Sequence, residues 1–166
     1  MPLVAADDAR TLLLGEWSRS LDERHRLSLP NEISAALLGG AGECVVAKER
    51  PGCLSLWQPD RWNEWMASGV ELVASKLRGG RLEGRAEELQ TLGRLLSTRH
   101  RTVPVGGKSR VAVPDSFRSF LGVEPGGEVI VVGAAVCLEV WDPTPWHSHV
   151  GEQMPGFRKL FDSLSG

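Results

Sequence analysis

Displaced by 84 residues, the chain overlays on itself without a gap. Arg26 falls on Arg110, Pro30 on Pro114, Leu37 on Leu121, Gly42 on Gly126, Cys53-Leu54 on Cys137-Leu138, Trp57 on Trp141, Pro59 on Pro143 and Trp62 on Trp146. The chain holds 6 tryptophans, and two pairs of them coincide at this single offset, so the match is a repeat and not a composition effect. Intervening positions keep their class: Leu27/Val111, Leu29/Val113, Ile33/Phe117 and Val46/Ile130 are all apolar pairs. The units run over 14–62 and 98–146, with an arm at 1–13, a helical connection at 63–97 and a tail at 147–166. A chain of 166 residues is long enough to bury a core without staples.

Each unit carries the same string of elements. Leu27-Ser28-Leu29-Pro30 and Val111-Ala112-Val113-Pro114 alternate as short half-buried strands. The proline then opens a short helix, carrying Ile33 and Leu37 in one copy and Phe117, Phe120 and Leu121 in the other. Gly39–Gly42 and Pro125-Gly126-Gly127 turn the chain into a hairpin of two strands. In the first copy these are Cys44–Ala47 and Leu54–Trp57, joined at Arg50-Pro51-Gly52. In the second they are Glu128–Val132 and Val136–Trp141, joined at Gly133-Ala134-Ala135. Between the units, Trp62, Trp65/Met66, Gly69, Val73 and Leu77 mark one helix face that Gly79-Gly80 ends. Leu82, Ala86, Leu89, Leu92 and Leu96 mark a second. After Met154-Pro155-Gly156, residues Phe157, Leu160 and Phe161 predict a short helical tail, and the first dozen residues read as a loose arm. A unit of this size buries too little by itself. The expected product is an α+β fold, a pseudo-two-fold β-barrel-like core with a helical pair inserted between its halves.

Hydrophobic residues make up 42% and charged residues 24%, the balance of an ordinary globular protein. Apolar runs such as Val129–Val132 are far shorter than a membrane span, and Asp7, Asp8 and Arg10 ahead of Leu12–Leu14 do not make a secretory leader. The chain reads as cytoplasmic. Its net charge is −2, but Lys76–Arg118 holds ten Lys or Arg against four Asp or Glu, a net of +6 that leaves −8 for the rest. That asymmetry fits either a solvated helix surface or a basic face on an acidic protein.

Catalytic signatures are missing. Gly107-Lys108-Ser109 ends like a phosphate-binding loop, but Thr102 stands where the motif's leading glycine belongs. There is neither a G-x-S-x-G elbow nor an H-E-x-x-H helix. His147 and His149 would share a face in a strand-like stretch, yet no Cys or carboxylate completes a metal set, so they read as surface histidines. Cys44, Cys53 and Cys137 are odd in number and widely spaced, which suits small core residues better than disulfides. The expectation is a non-enzymatic chain with no metal and no cofactor.

What remains is a loop that occurs twice between short β stretches: Leu21-Asp22-Glu23-Arg24-His25-Arg26 and Val105-Gly106-Gly107-Lys108-Ser109-Arg110. Both end in base-x-Arg. Arginines on tight loops suit phosphate oxygens and guanine edges. The competing reading is a local ion pair, above all between Arg26 and Asp22 four residues earlier.

From Leu14 to Val150 the chain resembles the MraZ family, within the wider SpoVT/AbrB-like fold. The two loops carry the resemblance, each followed by apolar-x-apolar-Pro, together with Leu138-Glu139-Val140-Trp141-Asp142 and Trp146. The family's loop pattern is D-x-x-G-R. The first copy keeps Asp22 and Arg26 but has His25 at the glycine position. The second keeps Arg110, with Gly106 and Ser109 at the Asp and Gly positions. The pattern's glycine suits a left-handed backbone turn. The resemblance implies a nucleoid-associated transcriptional regulator. It would assemble as a ring of identical subunits and bind short G-rich direct repeats upstream of division and cell-wall genes. Arg24, Arg26, Lys108 and Arg110 would contact duplex DNA, with the first loop contributing most. The alternative is an oligomeric scaffold of the same fold without specific DNA binding.

Overall fold

The computed structural model describes residues 12–166. The arm expected at the N-terminus falls almost wholly outside that range. Eight strands form one antiparallel sheet: β1 (Leu13–Ser20), β2 (Arg26–Ser28), β3 (Glu43–Arg50), β4 (Cys53–Trp57), β5 (His100–Gly106), β6 (Arg110–Ala112), β7 (Glu128–Ala135) and β8 (Leu138–Trp141). Their order is β1-β7-β8-β4-β3-β5-β6-β2, and β2 folds back beside β1, so the sheet is a nearly closed barrel.

The pairing is interlocked. β1 runs antiparallel to β7, in register from Leu13↔Ala135 to Ser20↔Glu128, while β5 runs antiparallel to β3. Each half therefore gives its leading strand to the hairpin of the other half. The pseudo-two-fold passes between β4 and β8 on one side and between β2 and β6 on the opposite side. Backbone bonds obey it: the Leu29 N–H donates to the Ser109 carbonyl, and the Val113 N–H donates to the His25 carbonyl.

Helices α1 (Asn31–Leu38) and α4 (Asp115–Leu121) follow the prolines, and both end on left-handed glycines, Gly39 and Gly122. They bury Ile33, Leu37, Phe117 and Leu121 in the barrel core with Leu27, Val111, Val129 and Leu138. Helices α2 (Pro59–Arg78) and α5 (Pro143–Gln153) leave the hairpin ends and cover the outside of the sheet. Under α2, Trp57 meets Trp62 at 5.5 Å and Trp65 at 5.6 Å. Under α5, Trp141 meets Trp146 at 5.3 Å and His149 at 5.0 Å. Trp57, Trp62 and Trp141 are buried, and Trp146 is half-buried against Trp141. Helix α3 (Ala86–Thr98) follows α2, and α6 (Phe157–Ser165) follows α5 through a single 3-10 turn at Met154–Gly156.

Three local expectations are corrected. β7 continues through Gly133-Ala134-Ala135, and the hairpin turns at Val136–Cys137 instead. Gly133 is there for close approach, since a Cβ would lie 2.6 Å from backbone atoms of Leu13 and Leu14 on β1. Leu82 belongs to a turn, and α3 starts at Ala86. His147 and His149 lie on α5, where residues two apart diverge around the helix, so no shared face exists.

Candidate nucleic-acid interface

The outer face of the β2–β6 ribbon and the turn ahead of β6 bring together three of the four predicted bases. Its register is Arg26↔Ala112, Leu27↔Val111, Ser28↔Arg110. Leu27 and Val111 are 2% exposed and point into the barrel, so strand alternation turns Arg26, Ser28, Arg110 and Ala112 outward. Arg26, Lys108 and Arg110 line one open cleft of about 410 Å³ with Pro104, Gly106 and Ala112. Arg24 is exposed on the first loop and is not part of that lining.

The two loops are built differently. In the first, the Asp22 carboxylate accepts the backbone N–H groups of Arg24 (2.8 Å) and Arg26 (2.9 Å) and the Arg26 Nε–H (2.7 Å). The backbone donors, above all that of Arg26, together with the guanidinium charge hold the Asp22 carboxyl below its usual range. The Arg26–Asp22 ion pair expected as a competing reading is thus present. It engages one edge of the guanidinium and leaves the side chain 35% exposed, so local pairing and cleft lining coexist. In the second loop, Gly106 replaces the acid. Among the described residues no carboxylate pairs with Arg24, Lys108 or Arg110. Its turn has two consecutive left-handed residues, Lys108 (φ 61°) and Ser109 (φ 53°). Buried Ser34 of α1 donates its hydroxyl to Ser109 Oγ at 2.6 Å and fixes that turn from below. Sequence reasoning did not single out Ser34, because the contact joins positions 75 residues apart.

Elsewhere half of the basic segment's charges meet an acid. Arg78 pairs with Glu71, Arg85 with Glu88, Arg99 with Glu49 and Arg118 with Asp115. Four bases of the segment are thus paired, and Lys108 and Arg110 of the same segment line the cleft with Arg26. The three cysteines are free and buried, and burial pushes the thiols of Cys44 and Cys137 up to about 12 and raises Cys53 further, so none supplies a thiolate. Among the described residues no cluster of His, Cys, Asp or Glu could hold a metal, and no helix is long and apolar enough to cross a membrane.

Known proteins are similar to this chain. The family model described as "MraZ protein, putative antitoxin-like" matches residues 100–162. A protein of Nitrosospira multiformis named transcriptional regulator MraZ is 30% identical over 129 residues, 77% of this chain and 80% of the relative. The Thermus thermophilus protein of the same name is 29% identical over 138 residues, covering 83% and 87%, and that of Treponema denticola is 24% identical over 152 residues, covering 92% and 96%. The chain belongs to the MraZ family. Its named members are transcriptional regulators and not enzymes.

Membership gives the departures from D-x-x-G-R a structural meaning. His25 and Ser109 occupy the pattern's glycine position in this MraZ family member, and both adopt positive φ, 55° and 53°. The turn is kept without the residue that adopts it most easily. The second loop, which lacks the acid, has its Ser109 hydroxyl held by Ser34.

Proposed function

We propose that this chain is a DNA-binding transcriptional regulator that reads duplex DNA with the outer face of the β2–β6 ribbon. The carrying observation is the shared cleft: one arginine from each half, plus Lys108, on a two-stranded ribbon whose other face is sealed into the core. The B-DNA major groove admits a ribbon of this kind, and arginine pairs bidentately with guanine O6 and N7. That chemistry matches the short G-rich direct repeats upstream of division and cell-wall genes that the family resemblance implies. The two copies, 14–62 and 98–146, would both serve recognition. Asp22 presets Arg26, while the unpaired Lys108 and Arg110 supply mobile positive charge, and Arg24 adds a phosphate contact from the first loop. A single ribbon makes few contacts. Self-association into a ring, located on the nucleoid, would place several ribbons on successive repeats and multiply a weak affinity.

Fluorescence anisotropy with DNA from upstream of this gene, against shuffled DNA at several salt concentrations, tests the reading. Arg26→Ala and Arg110→Ala should each weaken specific binding at least tenfold, about 1.4 kcal/mol. Lys108→Ala should lower the salt slope by about one phosphate's share and weaken both DNAs alike. Equal wild-type affinity for upstream and shuffled DNA overturns the reading and leaves a scaffold of the same fold.

A further inference from the structure

The repeat is broken on the outer face of the ribbon. Arg26 and Arg110 occupy the same position in the two copies, 84 residues apart, but the outward residues around them differ. The first copy has Ser20 and Ser28 where the second has Pro104 and Ala112, and all four are exposed. Antiparallel pairing sets Ala112 opposite Arg26 and Ser28 opposite Arg110. In the β5–β6 register Val105↔Val111, Pro104 falls beside Ala112 on the same face. Both line the cleft with Arg26, Lys108 and Arg110. One end of the ribbon therefore carries hydroxyls and the other an apolar wall.

A phosphate oxygen has no use for an apolar wall. It is met by cations and by N–H or O–H donors, and a pair of serines would serve it better than proline and alanine. A base edge is different. Among the four bases, thymine alone presents a methyl group in the major groove, and alanine is a side chain that meets it. The spacing agrees. Directly opposed residues of an antiparallel pair have Cβ atoms about 5 Å apart, and successive bases of one strand lie about 3.4 Å apart along the duplex. With the Arg26 guanidinium on a guanine, the Ala112 methyl comes over a neighbouring base pair. Asp22 narrows the geometry further, since it accepts the Arg26 Nε–H at 2.7 Å and holds one edge of that guanidinium. The apolar wall thus stands at the end of the ribbon where the arginine is fixed.

We propose that Ala112, backed by Pro104, is a specificity-determining residue that packs on the C5-methyl of a thymine next to the guanine read by Arg26. The inference rests on the ribbon reading above and adds a base to it. Guanine is recognised through its O6 and N7 acceptors, and the thymine by the shape of its methyl group alone. Ser28, the repeat-mate of Ala112, offers a hydroxyl that several base edges accept. Only one end of the pseudo-two-fold ribbon is therefore selective for a methyl group.

Deoxyuridine tests this without disturbing any hydrogen bond, because it pairs as thymine does and lacks only the methyl. The full-length chain is titrated by anisotropy with duplex DNA from upstream of this gene, in which each thymine of the footprint is replaced in turn. At one thymine beside a guanine, wild type should lose about fourfold in affinity, the worth of burying one methyl group. Ala112→Gly removes the side chain, and Ala112→Ser installs the residue of the first copy. For both variants the ratio of thymine to deoxyuridine affinity at that position should fall to about one. Each ratio is taken within one protein, so a general loss of stability or affinity cancels. A wild type that prefers upstream to shuffled DNA yet is indifferent to every deoxyuridine overturns the thymine contact and leaves the ribbon reading standing. A footprint without thymine beside guanine does the same. A ratio that survives both substitutions assigns the methyl to another group and overturns the proposal. Equal wild-type affinity for upstream and shuffled DNA overturns both readings.

Discussion

His25 stands in a left-handed turn that residues with a Cβ enter only at a cost of about 1–2 kcal/mol. The turn is nonetheless over-determined, because Asp22 accepts the backbone N–H groups on either side of His25 and the His25 carbonyl accepts the Val113 N–H across the ribbon. His25→Gly should therefore raise stability by about 0.5–1 kcal/mol, and His25→Val should lower it by more than about 1 kcal/mol, since a β-branched residue fits φ 55° worst. Urea midpoints measure both, and a stabilising valine would contradict the geometry. The need for a special backbone here was legible, because the family pattern has glycine at this position. The Ser34–Ser109 bond under the second loop was not, because the two residues meet only once the halves interlock. Glu139 illustrates a different residue-scale effect. It is half-buried, and desolvation first, then the Glu49 charge, raise its carboxyl above the usual range against the bond from Trp141 Nε1. An acid raised in the folded state favours the protonated form, so its charge destabilises the fold at neutral pH and that penalty fades as pH falls through the carboxylate range. Glu139→Gln keeps an oxygen for Trp141. It should gain about 1 kcal/mol at pH 7 and nothing once wild-type Glu139 is protonated. Equal gains at both pH values would rule out charge as the cause.

The strands were readable as strands because Leu27-Ser28-Leu29 and Val111-Ala112-Val113 alternate, and the short helices because proline and glycine bracket them. Partner choice was not readable. Alternation tells a strand which face to bury, and it is the same whether β1 pairs within its own half or with β7 of the other. Gly133 shows how this misleads: in sequence it sits like a turn residue, but in the sheet it is the place where β1 comes closest. Strand exchange has a consequence for folding. The leading strand of each half finds its ladder only in the other half. Chain fragments 1–83 and 84–166, divided in the exposed turn after α2, should each fail to fold as a monomer and should recover the native circular dichroism spectrum when mixed. Each half could alternatively pair with a second copy of itself. The deciding measurement is therefore mass together with spectrum, and a folded single-chain half would refute the interlock.

At the scale of the molecule, the pseudo-two-fold separates two surfaces. The β2–β6 ribbon, with its cleft, lies on one side of the barrel. The β4–β8 side carries the tryptophan clusters under α2 and α5, from which α3 and α6 continue. Net charge conceals this division, because four of the eight bases of Lys76–Arg118 outside the cleft are paired with acids, and the total of −2 records only the sum. If DNA contact and self-association occupy opposite sides, they should fail independently. A tail variant, Leu160→Glu/Phe161→Glu, puts charge on the exposed apolar stripe of α6 and keeps an intact ribbon, so its affinity for DNA with a single repeat should stay within about twofold of wild type. On DNA carrying three repeats it should lose at least tenfold, because effective concentration multiplies binding by about 10²–10⁴ only when linked sites engage together. Arg110→Ala should weaken both DNAs, and its loss on three repeats should exceed its loss on one, since each engaged subunit repeats the missing contact. Anisotropy titrations of one- and three-repeat duplexes with the same proteins separate these cases. A tail variant that loses single-repeat affinity would mean that assembly shapes the ribbon itself, and the two surfaces would not be independent.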